Sequence, residues 1–196
     1  TFDDKNSINR LIVKNLFAEI ETSKANPIKN KPFTGYEVKA IKDYLLENDL
    51  KLYHFIQFMI YAFLREREVV RLKVKDFNLR EKKFNVETKA KAYDTVIIIK
   101  PLHDYLTSIH LENLPSKANL FTNTGVVEVW DAKEKSKVDH FGNRFKKVKK
   151  VFGFGDEYGL YSFRPTAVLD LFHSNLRKGM TEREVILKLL PITRHG

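Results

Sequence analysis

A run of closely spaced cations near residue 150 is the segment whose residue types most directly suggest a chemistry. Residues 143–155 read NRFKKVKKVFGFG. Apolar residues recur among the cations, which predicts a helix with one basic face. Such a face can contact DNA phosphates and position a duplex without reading its sequence; a solvated helix surface is the alternative interpretation. The cations of the run are Arg144, Lys146, Lys147, Lys149 and Lys150.

The composition favours an anionic partner without requiring one. The 196-residue chain has 35 lysines and arginines against 25 aspartates and glutamates, which gives a formal net charge of +10. Because each neutralised phosphate releases counterions, a surface of this charge favours nucleic acid. A basic protein that binds only other proteins could have the same composition. Salt concentration would then not change how such a protein behaves in a DNA-binding assay.

The residues predict no metal site, no cofactor and no membrane span. The six histidines are dispersed and cysteine is absent, so no side chains show metal-ligand spacing. Residues 153–155 lack the lysine and serine of a nucleotide-binding loop. No run approaches the roughly 18 apolar residues of a membrane helix. The N-terminus does not resemble a signal peptide, and the absence of cysteine fits a reducing compartment.

Hydrophobic periodicity predicts a mainly helical chain with one β-hairpin. Residues 84–88 and 95–99 are rich in strand-forming side chains and flank the polar turn AKAYD, so we expect two antiparallel strands. Two Thr-x-x-Glu capping boxes, at Thr34 and Thr181, each predict the start of a helix. The expected helices are 7–24, one from Thr34, 52–64, 67–72, 101–111, 137–151, 164–176 and one from Thr181 to Pro191.

Two stretches are expected to lack regular structure. Residues 26–32, NPIKNKP, contain two prolines and indicate a linker. Residues 112–135 show no sustained periodicity, apart from a possible short strand at Leu120-Phe121.

Four further segments contain polar residues that could act together. Arg65 lies at the junction of two predicted helices, Lys89 and Lys91 lie at the hairpin turn, Arg164 opens a helix and His195 is in the last segment. Taken singly, each has an ordinary interpretation. An arginine at a helix junction is usually a solvated cap, turn lysines are usually solvated, and a lone histidine indicates nothing.

Taken together and in order, these segments resemble the catalytic domain of the tyrosine recombinases, the phage-integrase family. FLREREVVRLKVKDF (63–77) resembles the "LR-x-x-E-L" motif, with Arg65 followed by Glu68. YSFRPT (161–166) resembles the "H-x-x-R-H-T" box, and LLPITRHG (189–196) resembles the "L-x-x-x-x-G-H" box. The four departures from these motifs are Phe63 for glycine, Tyr161 and Pro165 for histidines, and Arg194 for glycine.

The resemblance implies a domain organisation and a fold. Residues 1–26 would be the end of a helical core-binding domain, 27–32 a linker, and 33–196 a catalytic domain that is incomplete at its C-terminus. The implied fold is that of a DNA breaking-and-rejoining enzyme, mainly α with a small antiparallel β-sheet.

The resemblance also implies a reaction, in which DNA is broken and rejoined through a 3′-phosphotyrosyl intermediate without a metal. Arg65 and Arg164 would clamp the scissile phosphate, and His195 would donate a hydrogen bond to it. Lys89 would be the general acid, with Lys91 as the alternative. Tyr161 would stand in the histidine's place, where it can donate a hydrogen bond but is a poor proton shuttle near neutral pH.

The expected partners are double-stranded DNA and other recombinase protomers in a synaptic complex. The expected location is cytoplasmic and nucleoid-associated in a bacterium, and the expected source is a phage or another mobile element. We expect Arg65, Arg164 and His195 to converge on one basic concave surface, with Lys89 nearby.

The resemblance leads us to expect no nucleophile among the residues of this chain. None of its eight tyrosines lies C-terminal to His195, where the family carries the attacking tyrosine, so we expect this chain to be inactive in cis. Three other functions stay open: a recombinase-like DNA-binding module without catalysis, a type IB topoisomerase, and a basic protein that binds only other proteins. The departures at Tyr161, Pro165 and Arg194 favour the first of these.

Overall fold

A computed structural model describes residues 29–87 and 93–193. The predicted helix 7–24 and the core-binding segment 1–26 lie outside the described residues. The helices are α1 Gly35–Asn48, α2 Leu50–Tyr61, α3 Glu66–Arg71, α4 Lys100–Ser108, α5 Glu134–Phe152, α6 Phe163–Arg177 and α7 Glu182–Thr193. The strands are β1 Phe77–Asn78, β2 Lys83–Val86 and β3 Asp94–Ile97. The predicted fold class, mainly α with a small antiparallel sheet, is therefore confirmed.

Both capping boxes form as predicted. At α1, the Glu37 backbone N–H donates to Thr34 Oγ1 at 3.2 Å and the Thr34 N–H donates to Glu37 Oε2 at 2.7 Å. At α7, the corresponding bonds between Glu184 and Thr181 are 3.4 and 2.8 Å. These bonds satisfy backbone donors that have no partner within the first helical turn.

The predicted end of α7 at Pro191 is wrong, because the helix continues to Thr193 with Pro191 inside it. Proline removes one backbone donor. Near this end of the helix the Thr193 hydroxyl donates to Leu189 O at 3.0 Å.

The sheet has the order β1-β2-β3 and both strand pairs are antiparallel. The predicted hairpin is confirmed as the pair β2–β3, in which Phe84 lies opposite Val96. Phe84 and Val86 alternate with exposed neighbours and face the core. The two-residue strand β1 was not predicted. The possible strand at Leu120-Phe121 is wrong, since only isolated bridges at Asn119 form there.

Helix α2 forms the centre of the core. Its buried face includes Phe55 and Phe58, and the Phe55 ring stacks on Phe141 of α5 with centroids 4.0 Å apart. His54, also on α2, stacks on Tyr105 of α4 at 3.9 Å. Burial lowers the pKa of His54 to about 4 and raises that of Tyr105 to about 12. These shifts follow because burial disfavours the charged form of each side chain.

A smaller apolar cluster joins α6 and α7 to the connection between α2 and α3. It includes Phe63, Val168, Phe172, Val185 and Leu189. Through this cluster, α6 and α7 pack beside the residues that precede Arg65. Within the described part of the chain, no helix is long and apolar enough to cross a membrane.

Candidate functional site

The Arg164 guanidinium lies at the centre of the site. The residue is only 2% exposed, and a buried cation needs hydrogen-bond partners to offset its lost hydration. Its Nε donates to Phe63 O at 3.0 Å, its Nη2 to Thr193 O at 2.9 Å and its Nη1 to Tyr161 Oη at 2.9 Å. Phe63 lies two residues before Arg65, and Thr193 lies two residues before His195. One side chain therefore connects three of the four segments singled out in the sequence.

Phe63 holds its carbonyl toward Arg164 in an unusual backbone conformation. Its φ of 52° lies in the left-handed region, where a bulky residue is rarely found. The motif carries glycine at this position, and glycine adopts a positive φ without steric cost. Here the ring is 8% exposed and packs in the cluster of α6 and α7, and this burial opposes the strain of the backbone.

Arg65 is the N-cap residue that precedes α3, and it is more accessible than Arg164. Its backbone N–H donates to Glu68 Oε2 at 2.8 Å, and its Nη1 lies 3.5 Å from Glu68 Oε1. The side chain of Arg65 is 40% exposed, whereas that of Glu68 is 7% exposed. The buried carboxylate therefore orients Arg65 at the helix junction while part of the guanidinium faces solvent.

Glu66 is a residue of this site that the sequence reasoning missed. It is half-buried as the first residue of α3. Burial raises the pKa of its carboxyl, while its own backbone N–H, Arg164, Arg65 and Arg67 act in the opposite direction. The carboxyl is thus within electrostatic reach of both proposed phosphate-binding arginines. The only feature of the sequence that could have pointed to Glu66 is that an acidic residue directly follows Arg65.

Tyr161 and Pro165 both fit the local structure around Arg164. The Tyr161 ring centroid lies 5.8 Å from the guanidinium carbon, in addition to the hydrogen bond through its hydroxyl. Pro165 is buried in the first turn of α6, where backbone N–H groups lack helical partners, so proline removes no helical bond there.

Lys89, Lys91, Arg194 and His195 lie outside the described residues, so their proposed roles stay predictions. Beside the described hairpin, Glu68, Arg71, Lys73, Asp76 and Tyr93 are among the residues that line a polar cavity of about 90 Å³. Within the described ranges, no cluster of three or more histidine, aspartate or glutamate side chains could hold a metal ion.

The basic run forms most of the second half of α5, and the structure divides its cations into two sets. Arg144 is paired with Asp49 through Nε at 2.8 Å and Nη2 at 2.6 Å. Asp49 in turn caps α2 by accepting from the Leu52 N–H at 3.0 Å. Lys149 is 17% exposed and lies 3.5 Å from Asp156. The exposed cations are Lys146, Lys147 and Lys150.

This division bears on the predicted DNA contacts of α5. Arg144 and Lys149 are paired with carboxylates of the chain, and the Arg144 pair joins α5 to the start of α2. Lys146 donates to Asn143 Oδ1 at 3.0 Å but is exposed. Exposed lysines are the groups of α5 best able to reach an external phosphate. The DNA contacts of all five cations stay a prediction.

Comparison with known proteins identifies the fold. No protein-family model matches the chain, and no curated protein matches it. A solved structure of XerA recombinase is similar over 88% of this chain, with 18% identity and a TM-score of 0.56. The Tn1549 transposon integrase in complex with circular intermediate DNA is similar over 91%, with 14% identity and a TM-score of 0.60. An integrase from mycobacterium phage Brujita is similar over 90%, with 14% identity and a TM-score of 0.54.

The chain spans 61%, 63% and 60% of the lengths of these three structures. At such low identity the likeness concerns architecture and not individual residues. The chain has the catalytic-domain fold of the tyrosine recombinases.

Proposed function

We propose, from the catalytic-domain fold of the tyrosine recombinases, that this chain belongs to a site-specific DNA recombinase or integrase. In this proposal Arg65 and Arg164 hold the scissile phosphate of duplex DNA. Lys89 is the general acid and His195 donates a hydrogen bond to the phosphate. The intermediate is a 3′-phosphotyrosyl ester, whose tyrosine the family carries after the segment of His195.

The observation that carries the proposal is the set of hydrogen bonds made by Arg164. The guanidinium donates to the carbonyls of Phe63 and Thr193, so the residues before Arg65 and the last described residue of α7 meet at α6. Residues that must act on one phosphate have to lie close together. Side chains with unrelated surface roles would have no need of a buried charged junction between them.

The residue types suit phosphoryl transfer. When a tyrosine oxygen bonds to phosphorus, the bond to the 5′ oxygen breaks and negative charge spreads over the non-bridging oxygens. Guanidiniums match this charge because they are planar, permanently charged and able to bond through two N–H groups. The departing 5′ oxygen needs a proton, which Lys89 would supply, and the tyrosine hydroxyl loses one.

The exposed lysines of α5 would contact the duplex beside this site. Lys146, Lys147 and Lys150 face solvent on one helix, as phosphate-contacting side chains do. The similarity to a Tn1549 integrase structure that contains circular intermediate DNA supports duplex DNA as the partner. Assembly with other protomers into a synaptic complex is part of the same proposal.

One observation favours a second candidate, a DNA-binding module without catalysis. Arg164 is 2% exposed, and Tyr161 stands where the motif has a histidine and accepts a hydrogen bond from Arg164. An arginine so enclosed could hold α6 and α7 together and not bind a phosphate. Covalent-adduct formation separates the two candidates when it is measured on a protein that includes the tyrosine proposed to follow the segment of His195, since only an enzyme forms an adduct.

The test of the phosphate site is duplex-DNA binding measured by fluorescence anisotropy at several salt concentrations. Arg65→Ala removes one phosphate contact, so we expect the slope of log K against log salt to weaken by about 0.9. Arg177→Ala removes the same charge from an exposed position at the end of α6 and is the matched control. Equal slopes for Arg65→Ala and the unmodified chain would contradict the proposal.

A further inference from the structure

The first turn of α6 is held from two sides. On one side, the Arg164 side chain bonds the residues before Arg65 and the end of α7. On the other side lies the segment 31–33, which reads KPF and directly precedes the N-cap of α1. This second attachment involves residues on both sides of Arg164 along the chain, Phe163 and Thr166.

Thr166 makes the hydrogen bonds of this attachment. Its Oγ1 accepts from the Phe33 backbone N–H at 2.8 Å and donates to Ser162 O at 2.6 Å. One hydroxyl can do both because it has one donor hydrogen and two acceptor lone pairs. Ser162 is fully buried, and its own Oγ accepts from the Gly159 N–H at 3.1 Å. The bonds therefore run from Phe33 through Thr166 to the residue that directly follows Tyr161.

The Phe33 ring adds a packing contact to the same turn of α6. The ring is buried, and its centroid lies 4.7 Å from that of Phe163 and 5.0 Å from that of Tyr158. Two residues earlier, the Lys31 backbone N–H donates to Glu157 O at 2.8 Å. Aromatic pairs at such distances contribute more than the area they bury, so these contacts fix the segment to the start of α6.

A displacement of this segment would be passed to Arg164 through the helix. Arg164 lies between the two residues of α6 that Phe33 contacts, so the first turn cannot shift there without moving the guanidinium. Three hydrogen bonds in turn define where that guanidinium lies. Donors that stabilise a transition state must be held in place before the reaction, and a misplacement of about 1 Å can lower a rate about a hundredfold.

We infer that Thr166 is a positioning residue, which fixes the first turn of α6 to the segment 31–33 so that Arg164 is held where it binds the scissile phosphate. Thr166 acts through Arg164 and not on the phosphate itself. This inference rests on the proposed function. Because the same hydroxyl attaches the chain before α1 to α6, it also makes the rate of DNA cleavage depend on where that segment is placed.

The experiment measures covalent-adduct formation on a nicked suicide substrate at increasing DNA concentrations. The protein must include the tyrosine proposed to follow the segment of His195, since the adduct forms on it. The maximum rate reports how well Arg164 is placed during the reaction, and the half-saturating DNA concentration reports binding.

Three variants separate the hydroxyl of Thr166 from its packing. Thr166→Val keeps the shape of the side chain but has no hydroxyl, whereas Thr166→Ser keeps the hydroxyl. Thr107→Val makes the same change as the first variant at an exposed position of α4, and it is the matched control. Circular dichroism gives the unfolding temperature of each protein, so that rates are compared where all of them are folded.

We expect Thr166→Val to lower the maximum rate by about 10-fold to about 100-fold and to leave the half-saturating DNA concentration unchanged. Thr166→Ser should recover most of the rate, and Thr107→Val should match the unmodified protein. A lower unfolding temperature for Thr166→Val with an unchanged maximum rate would show a purely structural role and overturn the inference. Equal losses in Thr166→Val and Thr166→Ser would also overturn it, because the hydroxyl would not be the cause.

Phe33→Leu is the second variant if Thr166→Val does not fold. It keeps the backbone donor and an apolar side chain but removes the ring contact with Phe163. We expect it to lower the same maximum rate, and an unchanged rate would contradict the inference. If the unmodified protein forms the adduct and these variants match it, only the inference fails. If the unmodified protein with its tyrosine forms no adduct, the proposed function is wrong and the inference fails with it.

Discussion

Replacing Arg164 with lysine preserves the positive charge in the core of the site but removes the planar fork that joins three segments. A lysine has one nitrogen at the end of its chain, whereas Arg164 uses three nitrogens that point in different directions. The substitution therefore separates the need for charge at this point from the need for its geometry. We expect the geometry to dominate.

The magnitude follows from the three hydrogen bonds of 3.0, 2.9 and 2.9 Å to Phe63 O, Tyr161 Oη and Thr193 O. A bond from a charged donor contributes about 1.5 to about 3 kcal/mol. A lysine can keep about one of the three, and relaxation recovers part of the remainder. We expect Arg164→Lys to lower the free energy of unfolding by about 3 kcal/mol. For a chain of this size, that corresponds to a fall in Tm of about 6 to about 12 °C.

Urea unfolding followed by circular dichroism measures this change. Arg177→Lys makes the same substitution at an exposed position on the same helix, and it should change stability by less than about 0.5 kcal/mol. Tyr161→Phe removes one partner of Arg164 and should cost about 1 kcal/mol. If Arg164→Lys unfolds at the same urea concentration as Arg177→Lys, the junction does not hold the three segments together and the reasoning is refuted.

Three further outcomes are expected. Lys147→Gln with Lys150→Gln should weaken the slope of log K for DNA against log salt by about 1.8. If a pair of lysine-to-glutamine substitutions outside α5 weakens the slope equally, α5 is not the DNA face. Because the pKa of His54 falls from 6.5 to about 4 on folding, the unfolded chain binds more protons between those values. The free energy of unfolding should then drop by up to about 3 kcal/mol as pH falls through this window, and His54→Gln should abolish that loss; an unchanged pH profile would contradict it. On a nicked suicide substrate, this chain should form no covalent DNA adduct on a denaturing gel, and an adduct that Tyr161→Phe abolishes would overturn the role proposed for Tyr161.

Features set by neighbours along the chain were predicted well. The capping boxes at Thr34 and Thr181 need only residues three apart, and both form with the predicted bonds. The strand pair 84–88 and 95–99 is found with its bounds shifted by one or two residues. The end of α7 was missed because proline interrupts a helix by default, and the sequence does not reveal that only the last turn is involved.

The electrostatic partners of the site could not be predicted in this way. The sequence presented Arg144 as one cation among five, yet Asp49 binds it across 95 residues. Glu66 had no motif to mark it, and its environment depends on Arg164, which lies 98 positions later in the chain and reaches it only after α6 packs against the α2–α3 connection. No periodicity records such a pairing.

The sequence by itself determined which residue types could serve a phosphate, their order along the chain and the helices and strands that carry them, because these properties depend on side-chain chemistry and on local periodicity. Only the tertiary structure decided that Arg164 is buried between Phe63 and Thr193 and that Glu66 shares its field. The physical reason is that hydrogen bonding, burial and charge interactions act through space, and their partners are chosen by how the helices pack.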